Sequence, residues 1–193
     1  MVTANNGKRL MIECGVSWAK LQEAINFDLN GIEACLISHE HADHCKAVRD
    51  VRKAGIEVYA SEGTFKSLGI GGGRRINCVS YKTLIRCNAF EIYCFNVNHD
   101  AAEPLGFVIR EKATNEFLLF ATDTSYITQQ FKYPFSIIAI ECSYDLDWLT
   151  QRVEDKDINE VLAKRLLTSH MEKQNAMNYL QEFCDLSKCR QIP

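Results

Sequence analysis

Residues 36–45 read LISHEHADHC and gather three of the chain's five histidines, His39, His41 and His44, around one carboxylate, Asp43. Imidazole nitrogen and carboxylate oxygen are donors for zinc, manganese or iron, and a carboxylate can reach a second ion. His39 and His41 are separated by one residue, so in an extended loop both side chains face one side. Asp43 and His44 follow where a helix begins, which turns two more donors toward neighbouring space. An isolated H-x-H is as readily a histidine-rich solvated turn; the full H-x-H-x-D-H string favours ligands. Two later positions end apolar strands: His99 in FNVNHD and Asp123 in FLLFATD. Singly, they read as a surface histidine and a strand-end turn residue; with the first cluster they complete a set for two metals. The fifth histidine, His170, stands in LLTSHMEKQNAMNYL.

Strands and helices alternate around these positions. RLMIECG is a strand ended by Gly15, SWAKLQEAINF a helix capped by Ser17, and IEACLI a buried strand leading into the histidine loop. CKAVRDVRKAG reads as one helix with Ala47, Val48 and Val51 inward, Lys46, Arg49 and Lys53 on another face, and Gly55 as its stop. IEVYA is a strand and SEGTFKSL a short helix. GIGGGRR lacks the third glycine of a dinucleotide loop and is a turn. AFEIYCFNVNHD is a long strand, GFVIREKATNEFLLFATD is folded by KATN into a hairpin, and SIIAIECS is another buried strand. The last third is helical, with Ala176, Leu180 and Phe183 on one side of the final helix. This pattern predicts an α/β domain with a mixed sheet architecture covered by helices.

The 193 residues predict one domain, and the net charge of -3 gives no pervasive basic surface. Lys46, Arg49, Arg52, Lys53, Arg74 and Arg75 are candidate phosphate contacts, each also readable as part of a solvated face. No apolar stretch approaches the roughly 20 residues of a membrane span, and MVTANNGKRL lacks a signal peptide's apolar core, so a cytoplasmic protein is expected. The nine cysteines are odd in number and form no C-x-x-C pair, which predicts reduced thiols. Cys35, Cys94 and Cys142 lie in apolar runs and read as small hydrophobes; Cys45, beside the cluster, reads as packing rather than as a soft ligand.

HEHADH, NHDAAEPLGF, ATDTSY and SHMEKQNAMNYL resemble the metallo-β-lactamase fold hydrolases, most closely the YycJ (WalJ) group of presumed nucleases, with RNase Z-type phosphodiesterases as wider relatives. The resemblance covers essentially the whole chain. It implies an αββα sandwich of two facing mixed sheets with outer helices. It also implies two divalent ions, zinc or manganese, with His39, His41 and His99 on one, Asp43 and His44 on the other, and Asp123 bridging. Asp43 would orient a metal-bound hydroxide, and His170 would contact the scissile phosphate or protonate the leaving group without coordinating. Glu13 stands where the family usually has Asp, and Ser143 and Tyr144 where the subgroup usually has Asn-His. By the same resemblance residues 1–193 form one metallo-hydrolase domain truncated at both ends, without the first strand and the last ligand histidine, so the second ion would bind weakly.

The expected function is therefore a metal-dependent phosphodiesterase or nuclease acting on nucleic acid. The alternatives keep the metals but take a small phosphodiester, cyclic nucleotide or ester, or leave a catalytically impaired interaction module.

Overall fold

A computed structural model describes residues 1–192. The chain divides into two compact units: residues 1–96, 101–105 and 109–115 form the first, and residues 97–100, 106–108 and the chain from 116 onward form the second.

The first unit is built on β1 (Val2–Thr3), β2 (Arg9–Ile12), β3 (Ile32–Leu36), β4 (Val58–Ala60) and β5 (Ile76–Cys78), hydrogen-bonded in that order. β1 and β2 are antiparallel, and the remaining pairs are parallel. Parallel pairing requires crossovers, supplied by α1 (Trp18–Ala24), α2 (Ala42–Cys45), α3 (Val48–Lys53) and α4 (Glu62–Ser67). The core holds Met11, Cys35, Ile37, Val51, Val58 and Phe65, all essentially inaccessible. Ser17 caps α1 as expected. Ser61 caps α4, its Oγ accepting from Thr64 N (3.1 Å) and its hydroxyl donating to Thr64 Oγ1 (2.9 Å).

The single helix expected over residues 45–55 is two. The chain breaks at Lys46–Ala47 because Cys14 N donates to His44 O (2.8 Å) and Ala47 N donates to Cys14 O (2.9 Å), so the segment after β2 captures the backbone between α2 and α3. Ala47, Val48 and Val51 are buried as expected. Gly55, with φ +97°, ends α3 in the left-handed region.

A second five-stranded sheet has the order β10 (Phe135–Ile140), β9 (Phe117–Ala121), β8 (Leu105–Glu111), β7 (Phe90–Asn96), β6 (Leu84–Arg86). β6 and β7 are antiparallel, β9 and β10 parallel with a bulge at Phe135/Ile137. KATN makes the expected turn, with Asn115 at φ 60° and its N–H on Glu111 O (2.9 Å). Two mixed sheets with helices are the α/β class the sequence implied. β1, β5 and β6 had not been foreseen: two or three residues carry too little alternation to be read.

The second unit also carries α5 (Leu146–Glu154), α6 (Glu160–Ser169) and α7 (Lys173–Phe183). Tyr144, Leu149 and Ala163 form a small core with α5 and α6. On α7 the buried side is Ala176 and Tyr179, with Leu180 and Phe183 only partly covered; the Tyr179 hydroxyl donates to Gln129 O (2.9 Å), and this anchor replaces the expected stripe. Cys142 is exposed, correcting its reading as a buried hydrophobe, because β10 ends two residues before it; Cys35 and Cys94 are fully buried. No helix of the described residues is long and apolar enough to cross a membrane.

Candidate active site

In the first unit the histidine loop leaves the end of β3. Ser38 and His39 are buried, and the Ser38 hydroxyl lies 2.8 Å from His39 Nδ1. That contact orients the ring and turns its Nε2 to within 3.1 Å of His41 Nδ1. The two rings meet edge to face at 4.6 Å, and the His44 ring lies 4.1 Å from His39 on another side. Two nitrogens bound at about 2.0–2.1 Å to one tetrahedral zinc would stand roughly 3.3 Å apart, so the observed pair fits the donor geometry of a shared ion. Asp43, in the first turn of α2, is largely exposed, with Oδ2 3.6 Å from His44 Nε2.

Glu13 holds this loop. Its Oε1 accepts from Ser38 N (3.0 Å), and its Oε2 lies 3.7 Å from His44 Nδ1. The residue reaches both from a left-handed backbone, φ 62°. Carboxylates that orient metal-ligating histidines act in this way. Gly15 leaves no alternative to the loop's position: a Cβ built on it would lie 1.5 Å from Asp43 O. Cys45 is buried, its thiol donating to Glu40 O and His41 O, both at 3.2 Å, and burial pushes it up to about 12. It braces the loop as a neutral thiol, whereas a ligand would be thiolate.

The second unit assembles its own group. The His99 side chain is buried, its Nδ1–H donating to Ser169 O (3.0 Å) at the end of α6, with Nε2 3.2 Å from Asp100 Oδ1. Asp100 in turn pairs with Arg165 (2.9 Å), tying residues 97–100 to α6. Asp123 follows β9 with φ 44°, and Thr124 N donates to Glu141 Oε2 (2.5 Å). His170 is the C-cap of α6, in extended conformation, and is not an exposed helix N-terminal residue. Its Nδ1 lies 2.5 Å from Glu141 Oε1 and 3.6 Å from Asp123 Oδ1, and the Ser143 hydroxyl donates to the same Glu141 oxygen. The His99 and His170 rings are 5.2 Å apart. Donor atoms of Asp123, Glu141 and His170 lie within 4.8 Å of one another. The sequence reading had passed over Glu141, although it ends β10 as Asp123 ends β9.

Two of the candidate phosphate contacts are committed elsewhere. Arg49 Nη2 donates to Leu68 O (2.6 Å) at the end of α4, and Arg75 Nε to Gly55 O (2.8 Å) past the end of α3; both satisfy helix C-terminal carbonyls. Lys53 lies 3.6 Å from Asp50 on its own helix. Lys46 and Arg74 are exposed, and Arg52 is half-buried.

The family model described as the beta-lactamase superfamily domain matches residues 8–186. The chain is 30% identical over 135 residues to an exodeoxyribonuclease YycJ of Bacillus anthracis, covering 65% of this chain and 50% of that protein. It is 31% identical over 133 residues to an exodeoxyribonuclease WalJ of Streptococcus pneumoniae, covering 64% and 49%. The chain thus spans about half the length of these curated relatives. Among solved structures, the metallo-β-lactamase fold protein YhfI from Bacillus subtilis superposes with a TM-score of 0.61 over 92% of this chain and 71% of that one, at 13% identity, a likeness of fold alone.

Proposed function

The chain belongs to the metallo-β-lactamase superfamily, and on that premise we propose that it is a metal-dependent phosphodiesterase acting on nucleic acid. The observation that carries this reading is the convergence of His39 and His41 in the loop after β3 with His44 on α2, the ring nitrogens of the first two 3.1 Å apart. Two YycJ and WalJ exodeoxyribonucleases among the relatives support the substrate class. The family match draws on residues of both units, which supports residues 1–193 acting as one metallo-hydrolase domain.

In this reading His39, His41 and His99 would hold one divalent ion and Asp43 and His44 a second, with Asp123 available to either; zinc or manganese suits the donors. Such ions, when bound, lower the pKa of water and neutralise charge developing on a phosphoryl group. The chain's own contribution is orientation and proton transfer. The Ser38 hydroxyl orients the His39 ring, and Glu13 holds the loop that carries it by accepting from Ser38 N. Glu141 holds His170 by Nδ1, which fixes the ring and leaves Nε2 toward a departing alkoxide; in the imidazolium form Nε2–H is the proton donor, and the ring returns to the neutral form once it has given that proton. Asp43, exposed at the start of α2, accepts a proton from the attacking water and aims it.

The test pairs metal analysis with turnover. His39→Ala should lose at least one equivalent of bound zinc or manganese and at least 100-fold of activity on a single-stranded oligodeoxynucleotide, with the circular dichroism of the wild type. Full turnover in the metal-depleted variant would end the metal-dependent reading. Cleavage of small phosphodiesters but not of oligonucleotides would move the substrate to the small class.

A further inference from the structure

A cavity of about 530 Å³ lies within the second unit, walled by the loop after β9, the end of α6 and one side of α7. Its size is that of a small-molecule pocket. No lysine, arginine or carboxylate lines it, so it is not built for a phosphate or a cation. Its polar groups are instead neutral, and two of them are amides with assigned directions. Asn98 Nδ2 donates to Ser125 Oγ (2.5 Å), which leaves Oδ1 to accept; Asn178 Oδ1 accepts from Gln174 Nε2 (2.8 Å), which leaves its N–H groups to donate. The aromatic part is Tyr126, a residue 52% exposed, and Tyr179, whose hydroxyl is engaged by Gln129 so that only ring surface remains. A lining that combines aromatic ring surface with amide donors and acceptors and carries no charge matches a planar, neutral heterocycle with hydrogen-bonding edges.

The wall shares its chain segments with the group described above. Asn98 precedes His99, Ser125 N donates to Asn98 O (2.9 Å) two residues after Asp123, and Met171 follows His170.

We propose that this cavity is a nucleoside subsite, taking the base of the nucleotide next to the phosphodiester that is cleaved. The proposal rests on the phosphodiesterase reading for the position of that bond, but not for the binding of the base. A base inside a duplex cannot enter such a pocket without leaving its stack. The substrate is therefore a single-stranded end or a cyclic mononucleotide, and duplex interiors are excluded.

Equilibrium binding to the intact chain in chelator, without metal, separates the base from the phosphate. Deoxyadenosine and thymidine 5′-monophosphates should bind at least tenfold more tightly than deoxyribose 5-phosphate, and Tyr126→Ala or Asn178→Leu should remove most of that difference. Tyr126 and Asn178 are exposed enough that either change leaves the fold in place. With metal present, Tyr126→Ala should lower kcat/KM at least tenfold on an oligodeoxynucleotide with a normal end and leave an abasic end unaffected. Equal binding of nucleotide and deoxyribose phosphate, or variants that bind as the wild type does, would overturn the subsite. Base-dependent binding without any hydrolysis would leave the subsite standing and remove the phosphodiesterase. Of the two sources of such a base, tighter binding of a single-stranded dodecamer than of the monophosphates identifies a nucleic-acid end, and the reverse a cyclic mononucleotide.

Discussion

Glu141 accepts from Thr124 N, from the Ser143 hydroxyl and from His170 Nδ1, and these donors fix where its carboxyl group stands. Its effect on function should pass through His170. His170→Ala is expected to lower turnover by about 10²-fold, within the usual range for a lost acid. Glu141→Gln should lower it by less and also shift the acidic and basic limbs of the pH–rate profile, while zinc content stays at the wild-type value in both variants. Loss of an equivalent of metal in His170→Ala would show that His170 is a ligand. The H-x-H-x-D-H cluster was legible in the sequence because its members are neighbours along the chain, from the loop after β3 into the first turn of α2. Glu141 was not, since a lone glutamate at a strand end looks like any other until its partners, 17 and 29 residues away, are known. The partners of Arg49 and Arg75, candidates for phosphate contact or for a solvated face, are backbone carbonyls 19 and 20 residues distant, which no charge pattern reveals.

At the level of elements, the sequence showed the long strands and capped helices because their periodicity and end signals are local. It did not show the break between α2 and α3, whose cause is hydrogen bonding to Cys14 in the segment after β2. Caps are the locally written part of this unit, and Ser61 is its buried example. Ser61→Ala removes an acceptor for Thr64 N and a donor for Thr64 Oγ1. The expected cost is about 1–2 kcal/mol, read as a lower urea midpoint with an unchanged slope. Gly55 and Arg75 together end α3, so Arg75→Ala should destabilise the first unit and, because Arg75 is not needed for phosphate, leave oligonucleotide affinity nearly as it was.

For the chain as a whole, two measurements follow from where its ionisable groups lie. Burial pushes the Cys45 and Cys94 thiols up to about 12, whereas Cys78 and Cys142 are exposed. A disulfide reagent at pH 8 should react quickly with the exposed pair and with the buried ones only after denaturation. The unfolded chain releases these two protons near the ordinary thiol value of 9.0 and the folded chain retains them, so their contribution to stability is complete below about pH 9 and disappears as pH rises toward about 12. Denaturant melts across that interval should show the loss. Nucleic-acid binding by an acidic chain of net charge -3 must depend on a few local cations, and it should weaken steeply between about 50 and 200 mM salt. Salt-independent affinity would instead point to recognition of the base alone.

The contact between Gly15 and the Asp43 carbonyl makes the turn after β2 and the histidine loop one mould in two pieces, separated by 28 positions but shaped to a single gap. Transplanting HEHADH into another scaffold would therefore carry the donors without their template. The portable unit is the loop together with the segment Glu13–Gly15, whose carboxylate, backbone and missing side chain set where each imidazole can stand.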